Sequence, residues 1–249
     1  NVQDDAIDKD AMAMTARARI GYETASMAGF KVLAEYDQLI VLQDEYDSKS
    51  SNGPTNDDRP IIADGQGGDF NRAQISYTHD AAKAVLGRQR IILDNARFIG
   101  NVGWRQNEQT FDAARVDLSA TYIYVNQRNT VTYKDLAVKD HLLNLGYTTP
   151  VGKVSTYAYM LEDDDSSRTY DTYGLRFKGS APVSSVELLY TAEYAAQTYN
   201  SGTSGAKDFD AGYSFLEGGV KVSGISFLAG MEVLGGDGDY AFETPYATG

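Results

Sequence analysis

The feature that most constrains this chain is a hydrophobic alternation with a period of two residues. From Met14 to Tyr22, apolar or small side chains occupy every second position, and Arg17 and Arg19 share the opposite face. A helix would scatter these positions around its axis, whereas a β-strand places alternate residues on opposite faces. The segment is therefore predicted to be a strand with one apolar wall and one cationic wall.

The same alternation recurs along the whole chain. It predicts twelve strands of about 9–13 residues, the length that a tilted strand needs to cross a bilayer. The clearest are 168–179 and 184–197; in the first, Tyr173, Leu175 and Phe177 alternate with Gly174, Arg176 and Lys178. The predicted strands begin near 14–22 and 30–37 and continue at 69–79, 83–93, 109–118, 120–128, 138–148, 152–162, 168–179, 184–197, 209–221 and 225–234.

The connections between these strands alternate in length. Short turns are predicted near 23–28, 80–82, 119, 149–151, 180–183 and 222–224. Longer loops are predicted near 43–68, 94–108, 129–137, 163–167, 198–208 and from 235 onward. Short turns on one side and long loops on the other are typical of outer-membrane barrels. The sequence thus predicts an all-β, transmembrane, antiparallel up-and-down β-barrel in the bacterial outer membrane, with membrane lipid and lipopolysaccharide as partners.

Charge is distributed as such a barrel requires. The formal net charge is −13, and segments 1–10, 43–68, 163–165 and 235–249, all assigned to the long-loop side, carry the whole excess. The mean hydropathy of −0.39 is that of a polar chain. Alternating strands average to such a value even when one face is apolar. No nucleic-acid partner is predicted.

Arginines on the polar faces are the candidate functional residues, and two interpretations are open. They could guide anions through a pore, because rings of charge set selectivity in channels. Alternatively, they could pair with facing carboxylates such as Glu35, Asp37 and Glu193 and only fill the lumen. The candidate pore-lining residues are Arg17, Arg19, Arg72, Arg88, Arg90, Arg97, Arg105, Arg115 and Arg176.

The loop 94–108 is a candidate constriction. It carries Asn95, Arg97, Trp104 and Arg105. If the loop folds into the barrel, these side chains narrow the passage. If it instead caps the outer end, Trp104 would lie at the membrane interface, where aromatic residues gather.

Other clusters give weaker signals. The acidic groups 57–58, 163–165 and 237–239 offer carboxylates for a divalent cation, but none has the spacing of a calcium loop, so solvated loop charge is the preferred interpretation. His79 and His141, the two histidines, lack a nucleophile elbow, so no catalytic residue is predicted. The tyrosines are typical of interface girdles. Neither a metal nor a cofactor is expected.

Five segments resemble a known family. The longest runs from Gly87 to Ala113 and includes the stretch NARFIGNVGWRQNEQTFDA; the others are HLLNL at 141–145, LYTAEYA at 189–195, EVLGGD at 232–237 and FETPYAT at 242–248. Together they resemble the alginate-export-like outer-membrane channels. The resemblance implies a barrel of roughly 16–18 strands.

The chain is therefore interpreted as one barrel domain over residues 1–249, incomplete at both ends, with a first strand and further C-terminal strands outside it. The expected function is a channel or porin that passes small polar or anionic solutes, such as organic acids, sugars or oligosaccharides, by facilitated diffusion. The alternative is a non-transporting barrel that acts as a receptor, adhesin or anchor. Enzymatic activity is not expected.

Overall fold

A computed structural model describes residues 7, 9–50, 52–56, 58–203, 208–236 and 240–247. It contains twelve strands that lie side by side in sequence order, each beside the next. The paired strands run antiparallel, from β1 against β2 to β11 against β12. The strands are β1 (Met12–Glu23), β2 (Phe30–Glu45), β3 (Gly67–His79), β4 (Ala82–Gln89), β5 (Thr110–Asp117), β6 (Ala120–Asn129), β7 (Asp135–Thr149), β8 (Gly152–Glu162), β9 (Thr169–Val183), β10 (Val186–Asn200), β11 (Phe209–Val222) and β12 (Ile225–Leu234).

The twelve predicted strands are confirmed, but several boundaries were wrong. β2, predicted over 30–37, continues to Glu45, into the predicted loop 43–68. β7 begins at Asp135 and β10 ends at Asn200, each three residues inside a predicted loop.

Residues 180–183, predicted as a turn, continue β9, and the turn that follows is only Ser184 and Ser185. Ser184 has a φ of 56°, which serves a tight turn. β4 stops at Gln89 instead of residue 93. Gly87 has a φ of 110°, and the Gln89 amide donates to the Ala113 carbonyl, so the regular ladder ends there.

The chain divides into two compact units. The first contains residues 1–115, 125–137 and 244–249, and the second contains residues 116–124 and 138–243. Within the described ranges, no helix is long and apolar enough to cross a membrane.

Each unit shows the two faces that the alternation predicts. In the first unit, Glu35 and Asp37 of β2 are buried on one face with Leu33 and Leu39. The opposite face exposes large apolar side chains, among them Ile20, Tyr22, Val32, Phe70, Ile75 and Leu86. Large apolar side chains are exposed and charged side chains are buried. This arrangement is the reverse of that in a water-soluble β-sheet protein. We call the two sides the apolar face and the charged face.

The second unit repeats this arrangement. Thr191, Glu193, Ala195 and Gln197 of β10 are buried on the charged face. Leu188 and Tyr194 are exposed on the apolar face, as are Tyr173 and Leu175 of β9. Gly174 lies directly opposite Tyr157 of β8, and a Cβ at Gly174 would lie 2.1 Å from the Tyr157 ring carbon Cζ. The glycine therefore makes room for a buried tyrosine.

Candidate functional site

Three strands of the first unit bring a cluster of charges together on the charged face. Arg19 of β1 lies opposite Asp37 of β2 and donates two hydrogen bonds of 2.5 Å to its carboxylate. Arg72 of β3 lies opposite Glu35 and donates to both of its oxygens, at 3.1 and 2.6 Å. The strand register thus pairs each arginine directly with a carboxylate across the ladder.

A β-bulge adds a polar group to this cluster. The register of β2 and β3 shifts between Glu35 and Tyr36. As a result Asn71, next to Arg72 in sequence, is buried and its amide donates to Glu35 and Glu108, at 2.6 Å each. Bulges redirect side chains in this way.

Glu108 ties the loop 94–108 to the cluster. Its carboxylate accepts from Arg90 Nε at 2.6 Å and from Asn101 at 2.6 Å, and it forms an ion pair with Arg19 at 2.9 Å. Burial alone would raise the pKa of Glu108, but the hydrogen bonds from Arg90 and Asn71 outweigh it and hold the pKa below its ordinary value. Glu108 is therefore ionised at neutral pH and anchors the end of the loop.

Further contacts place the loop over the charged face of β1. The Gln106 carbonyl accepts from Arg17 at 2.5 Å, and the Gln106 amide donates to Thr15 at 3.0 Å. Thr15, Arg17 and Arg19 share that face. The loop therefore lies against the charged face of β1 within the first unit.

The segment 244–246 braces the other part of this loop. Gly100 N donates to the Tyr246 carbonyl at 2.8 Å, beside a parallel bridge between Ile99 and Tyr246. Arg97 donates to Thr244 Oγ1 at 3.2 Å. Arg128 donates to the Pro245 carbonyl at 2.9 Å and lies 4.4 Å from the centre of the Tyr246 ring. The loop is thus held at both ends within the first unit.

Among the other residues predicted for the constriction, Trp104 and Asn95 are exposed and Arg105 is half-buried. Trp104 is 66% exposed, and the Arg105 guanidinium lies 4.4 Å from its ring centre. Arg105 also faces Asp64 at 3.8 Å. Asn95 is exposed and its side chain accepts from the Arg97 backbone at 3.4 Å.

Arg88 and Arg90 do not share a partner, although the sequence spacing puts them on one face. Arg88 pairs with Asp112 at 2.8 Å and with Asp69 at 2.6 Å, whereas Arg90 pairs with Glu35 and Glu108. Arg115 lies half-buried on β5. The pairing interpretation accounts for Arg19, Arg72, Arg88 and Arg90.

The second unit holds one predicted arginine, and it is also paired. Arg176 of β9 lies opposite Glu193 of β10 and donates to it at 2.6 Å. Tyr157 Oη donates to the other Glu193 oxygen at 2.8 Å. The Arg176 and Glu193 side chains are 9% and 1% exposed, so this pair is deeply buried.

A returning segment also crosses the charged face of the second unit. The Gln197 amide donates to the Glu243 carbonyl and accepts from Glu243 N, both at 2.9 Å. Tyr170 donates to the Glu243 carboxylate at 2.9 Å, and Phe242 packs against Tyr213. Neither this contact nor the roles of Glu108 and Asn71 could be predicted from the sequence, because side-chain pairing between a loop and a strand leaves no periodic signal.

The minor candidates remain dispersed. Asp163 lies in a tight turn, where hydrogen bonds from the Ser166 backbone and hydroxyl lower its pKa. His141 accepts or donates one bond with Tyr122, and His79 lies at a turn beside Asp80. Among the described residues, no three acidic or histidine side chains converge as a metal site would require. Asp57 and residues 237–239 lie outside the described residues.

Comparison with known proteins agrees with this geometry. A family model described as alginate export matches residues 27–247. No curated protein matches the chain. Several solved outer-membrane proteins match its fold.

Acinetobacter baumannii OccAB4 is 14% identical, with a TM-score of 0.66 over 93% of this chain and 63% of that one. Pseudomonas aeruginosa OpdK, solved with vanillate, is 12% identical, with a TM-score of 0.61 over 88% and 60%. OpdL of the same species is 12% identical, with a TM-score of 0.63 over 88% and 58%. The chain thus spans about three-fifths of the length of these structures. At this identity the likeness establishes the fold, which is that of an outer-membrane β-barrel.

Proposed function

The chain belongs to the alginate-export family of bacterial outer-membrane β-barrels, and on that premise we propose that it forms a channel for small polar or anionic solutes. In such a barrel the apolar face meets lipid and the charged face meets the water-filled lumen. Organic acids, sugars and short oligosaccharides are the solutes that a wall of this kind admits by facilitated diffusion.

The observation that carries the proposal is the loop 94–108 held on the charged face. A loop anchored there through Glu108, Gln106 and Gly100 reduces the width of a lumen while leaving polar groups along it. A barrel that serves only as a membrane anchor would not need a loop fixed against its water-facing side. Width and charge at such a point decide which solutes pass.

The charge balance of the cluster favours small solutes over a long polyanion. Arg19, Arg72 and Arg90 are matched by Glu35, Asp37 and Glu108 within hydrogen-bonding distance. A polyanion would need unpaired cations along its path, and three of the arginines proposed for that role are already neutralised. Vanillate, the small carboxylate solved with OpdK, is therefore a suitable first probe.

Conductance in planar bilayers tests the proposal. The protein should form ion-conducting pores, and replacing residues 102–106 with two glycines should raise the single-channel conductance because the narrowing loop is shortened. A matched control shortens the loop 201–208 by the same number of residues and should leave conductance nearly unchanged. Folded protein that gives no conductance in either form would instead support the receptor or anchor function.

A further inference from the structure

A groove of about 390 Å³ opens on the apolar face of the second unit, along β8. Its floor consists of the small side chains of Thr156 and Ala158. The walls are bulkier side chains that pair with this floor across the two neighbouring ladders: Leu143 and Leu145 of β7, and Tyr173 and Leu175 of β9. The groove thus exists because one strand carries small residues between two strands that carry large ones.

The surface of the groove is largely apolar. The Thr156 hydroxyl, the polar group of the floor, donates to the Gly174 carbonyl at 3.1 Å and is satisfied within the sheet. Leu145 and Leu175 are exposed on either side of it. The volume lies within the range of about 300–1,000 Å³ that is usual for ligand sites. Such a surface fits a segment of hydrocarbon chain.

The register of the strands gives the height of the groove on the sheet. Asp171, Thr198 and Asp210 form one polar row across β9, β10 and β11, and this row ends the apolar face on the long-loop side. Tyr173 is only two residues from Asp171, whereas Tyr190, on β10, donates to the carbonyl of Val151 in a short turn. The groove therefore lies in the half of the apolar face that is nearer the long loops, which face the cell exterior in outer-membrane barrels.

Two tyrosine hydroxyls at the groove have no protein partner. Tyr173 and Tyr194, which both line it, are more than half exposed. In the part of the chain that the structure describes, neither hydroxyl forms a hydrogen bond. An unpaired hydroxyl in hydrocarbon is costly. The occupant that suits this groove therefore has an apolar chain and a hydrogen-bond acceptor at the polar end of that chain.

We propose that the groove binds one acyl chain of lipopolysaccharide, the lipid of the outer leaflet, and that the ester or amide carbonyl of this chain accepts a hydrogen bond from Tyr173. The groove is continuous with the lipid-facing surface of an outer-membrane barrel and lies in its outer half, so an outer-leaflet lipid is the molecule that meets it. The proposal rests on the barrel fold and is independent of the proposed channel function.

Native mass spectrometry of the purified protein, incubated in detergent with lipid A, measures the bound lipid. The wild type should retain one molecule of lipid A, the acyl-bearing part of lipopolysaccharide, and much less dioleoylphosphatidylethanolamine. Thr156→Leu plus Ala158→Leu fills the floor of the groove and should weaken binding about tenfold or more. Ala192→Leu makes the same kind of change on the apolar face of β10, outside the groove, and should leave binding unchanged.

A second pair of variants tests the hydrogen bond without changing the shape of the groove. Tyr173→Phe should weaken lipid A binding about two- to tenfold, whereas Tyr147→Phe, near the short-turn end of the same face, should not. Equal retention by the wild type and both groove variants overturns the proposal, as does phospholipid bound as tightly as lipid A. A wild-type oligomer that the filled groove dissociates would overturn it too, because a second copy of the chain would then be the occupant.

Discussion

At the residue scale, the buried pair of Arg176 and Glu193 shows how charged side chains are stabilised on the charged face. Each side chain alone would be an uncompensated charge in a nearly dry position, because they are 9% and 1% exposed. Their bond at 2.6 Å and the bond from Tyr157 satisfy both. The register of β9 and β10 that brings them together is therefore favoured over a slipped register.

Breaking that pair should be costly. Arg176→Met leaves the Glu193 carboxylate buried without its cation and should lower the free energy of unfolding by about 3–5 kcal/mol. Arg176→Met combined with Glu193→Leu should lower it much less, since no charge remains buried. Urea unfolding in lipid vesicles measures both. Lys31→Gln, which breaks the exposed pair with Glu23, should cost at most about 1 kcal/mol. Equal costs for the single and double variants would contradict the pairing argument.

Gly174 offers a second test at this scale. A Cβ there would collide with the buried Tyr157 ring, so Gly174→Ala should destabilise the protein by about 1–3 kcal/mol. Gly218→Ala is the matched strand position, because nothing lies within 4 Å of a Cβ at Gly218. That variant should stabilise by roughly 0.5–1 kcal/mol, since alanine loses less chain entropy than glycine. The unfolding midpoints of the two variants should move in opposite directions.

At the element scale, the alternation of the sequence predicted the twelve strands and the direction of their side chains, as in β9, where Arg176 is buried and Leu175 exposed. It failed at 180–183 because Gly179 and Pro182 resemble turn residues. Gly179 instead permits a close approach, with an added Cβ only 2.2 Å from the Val151 carbonyl. A sequence does not distinguish a glycine needed for tight packing from one needed for a turn.

The candidate site was predictable only in part, for a related reason. Arg19 and Arg72 lie on the charged face, as the periodicity of β1 and β3 predicted, whereas Arg90 lies just beyond the end of β4, where periodicity no longer applies. Their partners follow from register and from a loop, and the bulge beside Glu35 shifts that register by one residue. Glu108 and Asn71 therefore could not be assigned to the cluster before the strands were paired.

The loop 94–108 should respond to acid. The folded pKa of Glu108 is lowered, so its contribution to stability is complete above the ordinary glutamate pKa and is lost as the pH falls through the lower, folded value. Below that range the loop should loosen. Trp104 is the single tryptophan of the chain and lies in this loop, so its fluorescence emission should change on acidification.

Glu108→Gln provides the control for this prediction. The variant lacks the charge that holds Arg90 and Arg19, so it should show the acid-type emission already at neutral pH. Trp104→Phe identifies the part of the signal that comes from the loop. An emission that is independent of pH in the wild type, or one that Glu108→Gln leaves unchanged, would show that the carboxylate does not anchor the loop.

At the scale of the whole molecule, one face should meet lipid and the other water, so the same substitution at two adjacent residues should destabilise the protein to different degrees. Leu216, on the apolar face, is 57% exposed in the middle of β11. Leu216→Arg should cost about 2–4 kcal/mol if the position lies near the bilayer midplane. The neighbouring Phe215 lies on the charged face opposite Glu193 and Glu232. Phe215→Arg should cost much less, because carboxylates surround it.

Folding into vesicles and urea titration measure this difference. Thr172 and Thr191 are unsuitable as lumen-side controls, since they are buried and hydrogen-bonded to Gln197 and Glu217. If Leu216→Arg and Phe215→Arg destabilise equally, the sheet has two dry faces and the assignment of lipid to one side and water to the other fails.

The strict sequence order of the strands has a consequence for how the number of strands can change in evolution. Since each strand lies beside the one before and the one after it, a duplicated hairpin can join the sheet without any connection crossing another. A chain of this kind can therefore gain or lose a pair of strands while every strand pairing away from the point of insertion is kept. The feature that each added hairpin must share is the alternation of apolar and polar side chains, because one face meets lipid and the other the lumen.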